Sequence, residues 1–66
     1  MKQIATVQFA DEHSAEKSYV FVRAAPGVVA LGVSQLTDGD MDLSLPVAAA
    51  RALLQALEAA LAVASS

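Results

Sequence analysis

Apolar and polar residues alternate with period two up to Leu45, after which the period lengthens. In the first stretch, Lys2 to Ala10, one side carries Ala5, Val7 and Phe9, and the other carries Lys2, Ile4, Thr6 and Gln8. Such alternation among β-branched and aromatic residues predicts a half-buried strand. A polar run from Asp11 to Ser18 follows and is expected to be a mobile loop. Tyr19–Ala25 alternates again, with Val20, Val22 and Ala24 on one side and Tyr19, Phe21 and Arg23 on the other. Pro26-Gly27 predicts a turn, because proline presets φ at the first central position and glycine supplies positive φ at the second. The third strand is expected over Val28 to Leu36, with Val29, Leu31 and Val33 on its bulkier face. Its other face, Ala30, Gly32 and Ser34, is small enough to let another group approach the backbone closely.

The segment Thr37-Asp38-Gly39-Asp40-Met41-Asp42 admits two readings. Its alternating aspartates match the first, third and fifth positions of a calcium-binding EF-hand loop starting at Asp38. Such a loop needs glycine at its sixth position and glutamate at its twelfth, where this chain has Leu43 and Ala49. Asp-Gly between two apolar-patterned runs is instead the signature of a two-residue type I′ hairpin turn. Met41, Leu43 and Leu45 then alternate with Asp40, Asp42 and Ser44 in a fourth strand with one wet face. The aspartates read as polar-face residues of a hairpin, and no metal site is expected.

Pro46 suits a helix's first turn, where its missing N–H is not needed. From there to Ala64 the chain is rich in alanine and leucine and has no breaker, which predicts a helix. At about 100° per residue the helix divides into three sectors. Val47, Ala50, Leu53, Leu54, Leu57 and Leu61 form a bulky arc suited to the sheet. Arg51, Gln55 and Glu58 form a narrow polar wedge, with Ala62 among them. The remaining arc is nearly all alanine, with an unbroken row of Ala48, Ala52, Ala56, Ala60 and Ala64. A helix that only covers a sheet normally carries charges on its back. An alanine row lets a second helix approach, and Ala48, Ala52, Ala56 and Ala60 are the candidate dimer contacts. The same row also follows from alanine being the best helix former.

The expected architecture is one small α+β domain over residues 1–66: a four-stranded antiparallel meander, then a C-terminal helix packed on one sheet face. If the helix covers Val7, Phe9, Val20, Val22, Leu31, Val33, Leu43 and Leu45, the outer face carries Thr6, Gln8, Tyr19, Phe21 and Arg23, with Ile4 and Ser34. The opposite phase for the second strand, with Tyr19 and Phe21 inward, stays open on sequence alone.

Sixty-six residues build a small core, yet 56% of them are hydrophobic. Chains of this size usually add disulfides, a metal or a partner subunit. With no cysteine and a single histidine, His13, disulfides are excluded and a zinc site is disfavoured. A homodimer is the remaining expectation. The formal charge is −3, and the four cations (Lys2, Lys17, Arg23 and Arg51) are scattered, which argues against tight binding to nucleic acid or an anionic membrane. Arg51, Gln55 and Glu58 interrupt the apolar C-terminal stretch, so it does not read as membrane-spanning, and a cytoplasmic protein is expected. Asp11, His13 and Ser14 have the residue types of a hydrolase triad but are too close in sequence to converge as one, and the three glycines are too far apart for a phosphate loop. No enzymatic activity and no cofactor are expected.

The order of four strands and one C-terminal helix resembles the transcriptional positive-cofactor family of single-stranded-DNA-binding dimers. Leu43-Ser44-Leu45-Pro46, entering the helix, is the local point of similarity. The resemblance implies a sheet face that binds single strands through basic residues and stacking aromatics. Tyr19, Phe21 and Arg23 would serve that role here, but the basic complement is missing and Asp40 and Asp42 oppose phosphate. The leading expectation is therefore a small non-enzymatic module that dimerises and binds a protein partner through its outer sheet face or an edge strand. Single-stranded nucleic-acid binding is the alternative.

Overall fold

The period-two segments become four strands and the alanine-leucine segment becomes a helix. A computed structural model of the chain describes residues 1–37 and 39–66. The elements are β1 (Lys2–Ala10), β2 (Lys17–Ala25), β3 (Val28–Gln35), β4 (Gly39–Pro46) and α1 (Val47–Ala64). The strands form one open antiparallel sheet in the order β1-β2-β3-β4, and α1 contacts the sheet through β3 and β4. This is the α+β meander the patterning predicts.

The register settles which residues share a face. Val20 lies between Val7 of β1 and Val33 of β3, and Val22 lies between Ala5 and Leu31. Leu31 in turn faces Leu43, and Val29 faces Leu45. One face is therefore apolar across all four strands. The other face aligns Thr6 with Phe21 and Gln8 with Tyr19, so the aromatics of β2 point away from the valines. A β-bulge between Gln3 and Ala5 departs from simple alternation. Its extra residue, Ile4, shifts the phase, so that Lys2 pairs with Ala24 of the apolar face and Gln3 with Arg23 of the outer one.

Both expected turn glycines have positive φ. Gly27, at +82°, closes the two-residue connection between Ala25 and Val28. Gly39 has φ +79° but sits opposite Gln35 as the first residue of β4. Positions 36–38 therefore separate the strands, one residue more than a two-residue turn allows. A glycine of positive φ closing a three-residue connection is the common alternative. The Asp38 half of the expected turn lies outside the described residues.

The Asp11–Glu16 connection is shorter than the sequence suggests and is held at several points. β2 begins at Lys17, not Tyr19, because Ala10 pairs with Lys17 and Phe9 with Ser18. The Asp11 N–H donates to the Glu16 carbonyl (2.8 Å), and the Ala15 N–H donates to the Asp11 carbonyl (2.8 Å). Ala15 takes φ +63° to close this loop. Asp11 Oδ1 accepts the N–H groups of His13 (2.8 Å) and Ser14 (3.0 Å), which is the aspartate's usual way of building a turn from its own side chain.

Pro46 pairs with Val28 and immediately precedes α1, with φ −64° and ψ 158°. It thus stands one position before the helix, not in its first turn. An edge strand tolerates it, since no ladder bond depends on its missing N–H. At the far end the Ser65 N–H donates to the Leu61 carbonyl (2.9 Å), and Ser66 Oγ donates to the Val63 carbonyl (2.8 Å).

Candidate interaction surfaces

A small core normally buries its largest apolar side chains. Here, among the described residues, only Ser18, Ala30 and Gly32 are buried, and no residue of α1 is. The leucine arc does lie toward the apolar sheet face, as expected: Ala50, Leu53, Leu54 and Leu57 face Val22, Val29, Leu31 and Leu45. Between the two sides runs a groove of about 330 Å³. The helix is anchored at its start, where Ala49 and Ala50 are half-buried. Leucine exposure then rises from 36% at Leu53 to 63% at Leu61. Val7, Phe9, Met41 and Leu43 of the apolar sheet face are also exposed. The alanine row (Ala48, Ala52, Ala56, Ala60 and Ala64) is exposed along its whole length.

The outer face is built differently. Tyr19 and Phe21, two apart on β2, stack with ring centroids 6.1 Å apart and planes 11° from parallel. Register brings Thr6, Gln8, Tyr19, Phe21 and Arg23 together, as the sequence reading places them. Opposite Phe21 is Gly32, and opposite Arg23 is Ala30. The small side of β3 is occupied from within the chain: a β-carbon on Gly32 would stand 2.7 Å from Asp42 Oδ1 and 3.4 Å from Phe21 Cδ2. Ala30 is 3% exposed on this face, so burial comes from small residues under large neighbours and not from the helix.

Electrostatically the outer face is mixed. Arg23 Nη2 lies 3.7 Å from Asp42 Oδ1, an exposed pair of little energetic weight. Asp40 and Asp42, opposite Ser34 and Gly32, border a shallow concavity of about 280 Å³ that also includes Phe21. The aspartates are polar-face residues of a hairpin, in the position the alternation gives them.

A polar cluster at one end of the sheet has no counterpart in the sequence pattern. The Ser18 hydroxyl, 1% exposed, donates to the Glu16 carbonyl (3.1 Å) and accepts from Gln35 Nε2 (2.8 Å). Gln35 Nε2 also donates to Asp11 Oδ2 (3.1 Å). Glu16 Oε1 accepts both the backbone N–H and the hydroxyl of Thr37, each at 2.6 Å. Apart from the local Ser18–Glu16 bond, these join residues 17 to 24 positions apart, a separation that leaves no local pattern to read. The N–H groups of Ser14 and then His13, directed at the Asp11 carboxylate, hold its pKa below the ordinary value. His13 lies exposed on the loop, as a solvated residue.

Comparison with known proteins finds no matching family model, curated protein or solved structure. The likeness to the positive-cofactor dimers therefore rests on the order of elements and the short Leu43-Ser44-Leu45-Pro46 stretch alone.

Proposed function

We propose that this chain is a small non-enzymatic interaction module that works as a homodimer and binds a protein partner through the outer face of its sheet. The observation that carries this reading is the open apolar side. An assembled sheet and a helix of matching pattern leave Phe9 43% and Leu57 54% exposed, a state one copy alone does not relieve. Large contiguous apolar patches on soluble chains mark interaction sites. The partner-binding face is the set Thr6, Gln8, Tyr19, Phe21 and Arg23, where a rigid aromatic pair beside an arginine supplies the residue types enriched at interface centres. The non-enzymatic reading rests on residue types: the chain has no cysteine, and its one histidine lies on an exposed loop.

Sedimentation equilibrium is the first test, with a dimer expected at micromolar concentration. Affinity capture with tagged protein is the second. The same protein should be recovered by wild type and lost with Phe21→Ala while the variant remains dimeric. A monomeric wild type, or capture indifferent to Phe21 and Arg23 changes, would overturn the reading.

The stacked Tyr19–Phe21 pair also supports a second reading, binding of single-stranded nucleic acid by base stacking. Asp40 and Asp42 on the same face work against it, because phosphate would meet carboxylate there.

A further inference from the structure

The apolar sheet face and the leucine arc of α1 are one continuous surface, and we propose that it is where a second copy of this chain docks about a twofold axis. The inference rests on the homodimer reading and names its surface. Three observations converge on it.

Area comes first. A compact monomer of 6.8 kDa exposes about 4,000 Å², whereas this chain exposes 5096 Å², about 1,100 Å² more. A standard interface covers about 800 Å² per partner, and obligate homodimers cover more. The surplus is the size of one such interface.

Shape comes second. The α1 backbone approaches β3 and β4 only, and its leucines reach no further across the sheet than Val22 of β2. The β1 half of the apolar face therefore has no helix over it. Val7 and Phe9 lie on that bare half. A twofold axis lets each helix rest on the half-sheet its partner leaves bare. The same patch then serves both copies, as a self-complementary interface requires.

Charge comes third. Among the described residues the apolar sheet face has one charged member, Lys2 at its corner, opposite Ala24. The polar wedge of Arg51, Gln55 and Glu58 flanks the leucine arc and stays at the rim of such a contact. By length and composition α1 is also apolar enough to cross a membrane. A bilayer would take Arg51 and Glu58 into hydrocarbon, a costly place for charged side chains, and would still leave the sheet face bare. A second copy covers helix and sheet together.

The chain lacks cysteine, so single thiols report local burial cleanly. Met41→Cys probes the apolar face, and Ala52→Cys probes the alanine row on the far side of the helix. Thiol-modification rates are measured on folded protein above and below the dimer's dissociation constant, beside sedimentation equilibrium. The expected result is a dimer in which Met41→Cys reacts at least tenfold more slowly than Ala52→Cys, with protection lost on dilution. Leu57→Glu should sediment as a monomer and Ala56→Glu as a dimer, with circular dichroism identifying any variant that has merely unfolded. A monomeric wild type removes the homodimer reading itself. A dimer that leaves Met41→Cys unprotected, or protects Ala52→Cys instead, keeps the homodimer and overturns this surface. Protection that appears only with phosphatidylcholine–phosphatidylglycerol vesicles assigns the surface to a membrane and overturns it too.

Discussion

Phe21 lies directly across from Gly32, and with Asp42 it fills the space a β-carbon there would need. The nearer obstacle, Asp42 Oδ1, is the far end of an exposed flexible side chain, and Phe21 Cδ2 at 3.4 Å is close to ordinary contact distance. Gly32→Ala should therefore be tolerated, displacing Asp42 from Arg23 and changing stability by no more than about 0.5 kcal/mol. In an Asp42→Ala background the same change should be stabilising by about 0.4–1 kcal/mol, because alanine restricts the unfolded chain more than glycine does. Urea denaturation of the four proteins measures this. A large loss in both backgrounds would mean that Phe21, not Asp42, sets the spacing.

Gly39 presents the opposite case: space is open around it, and the constraint is its own backbone. Nothing lies within 4 Å of a β-carbon added there, but φ is +79°. Gly39→Ala should destabilise by about 1–2 kcal/mol, and Gly39→Val by more, since branching at the β-carbon worsens positive φ. Calcium should leave the melting temperature of wild type within a degree or two. A rise of many degrees, absent in Asp40→Ala, would establish a cation site in the hairpin.

Acid should act on the Asp11 cluster. The folded pKa of Asp11 lies below its ordinary value, chiefly through the N–H groups of Ser14 and His13. A depressed carboxylate pKa contributes stability that is fully present above the ordinary carboxylate pKa and disappears as pH falls through the folded value. Asp11→Asn removes that dependence. Melting temperatures between pH 6 and pH 2 should fall less steeply for Asp11→Asn than for wild type, and parallel curves would show that the carboxylate is not specifically held.

Ser18 concentrates the remaining polar cluster. Its hydroxyl serves the Glu16 carbonyl and the Gln35 amide from a position 1% exposed. Ser18→Ala should cost about 1–3 kcal/mol in denaturant unfolding by stranding those partners. Ser18→Thr, which keeps the hydroxyl, should recover part of the loss. Equal stability of Ser18→Ala and wild type would show that water replaces the hydroxyl.

Single-stranded DNA separates the two functional readings. Fluorescence anisotropy at physiological salt should show weak binding, because the cations that would release counterions are few and scattered. The double change Asp40→Lys and Asp42→Lys should tighten binding at least tenfold at low salt if the stacked pair can accept bases. Sub-micromolar binding by wild type that is lost with Tyr19→Ala would put nucleic acid first.

Side-chain alternation made the sheet legible from sequence. Val7, Val20, Val33 and Met41 each occur in a period-two run, and antiparallel pairing places them on one face. Pro26-Gly27 and the alanine-leucine segment were equally readable, because their conformational preferences are local. The bulge at Ile4, the Glu16–Thr37 bonds and the burial of Ser18 were not, since each depends on where two strands align. The looseness of the helix on the sheet was also invisible. A helical wheel shows which side of α1 is apolar, but not how closely that side approaches its own sheet.

Pro46 ends β4 and begins the approach to α1 with no loop between them. Its ring locks φ, which leaves ψ as the soft torsion governing where the helix points. An 18-residue helix is about 27 Å long. A change of about 10° in that one angle swings its far end by up to roughly 5 Å. The helix is in effect a lever on a single-axis hinge, so the width of the groove beneath it can change without any strand altering its register.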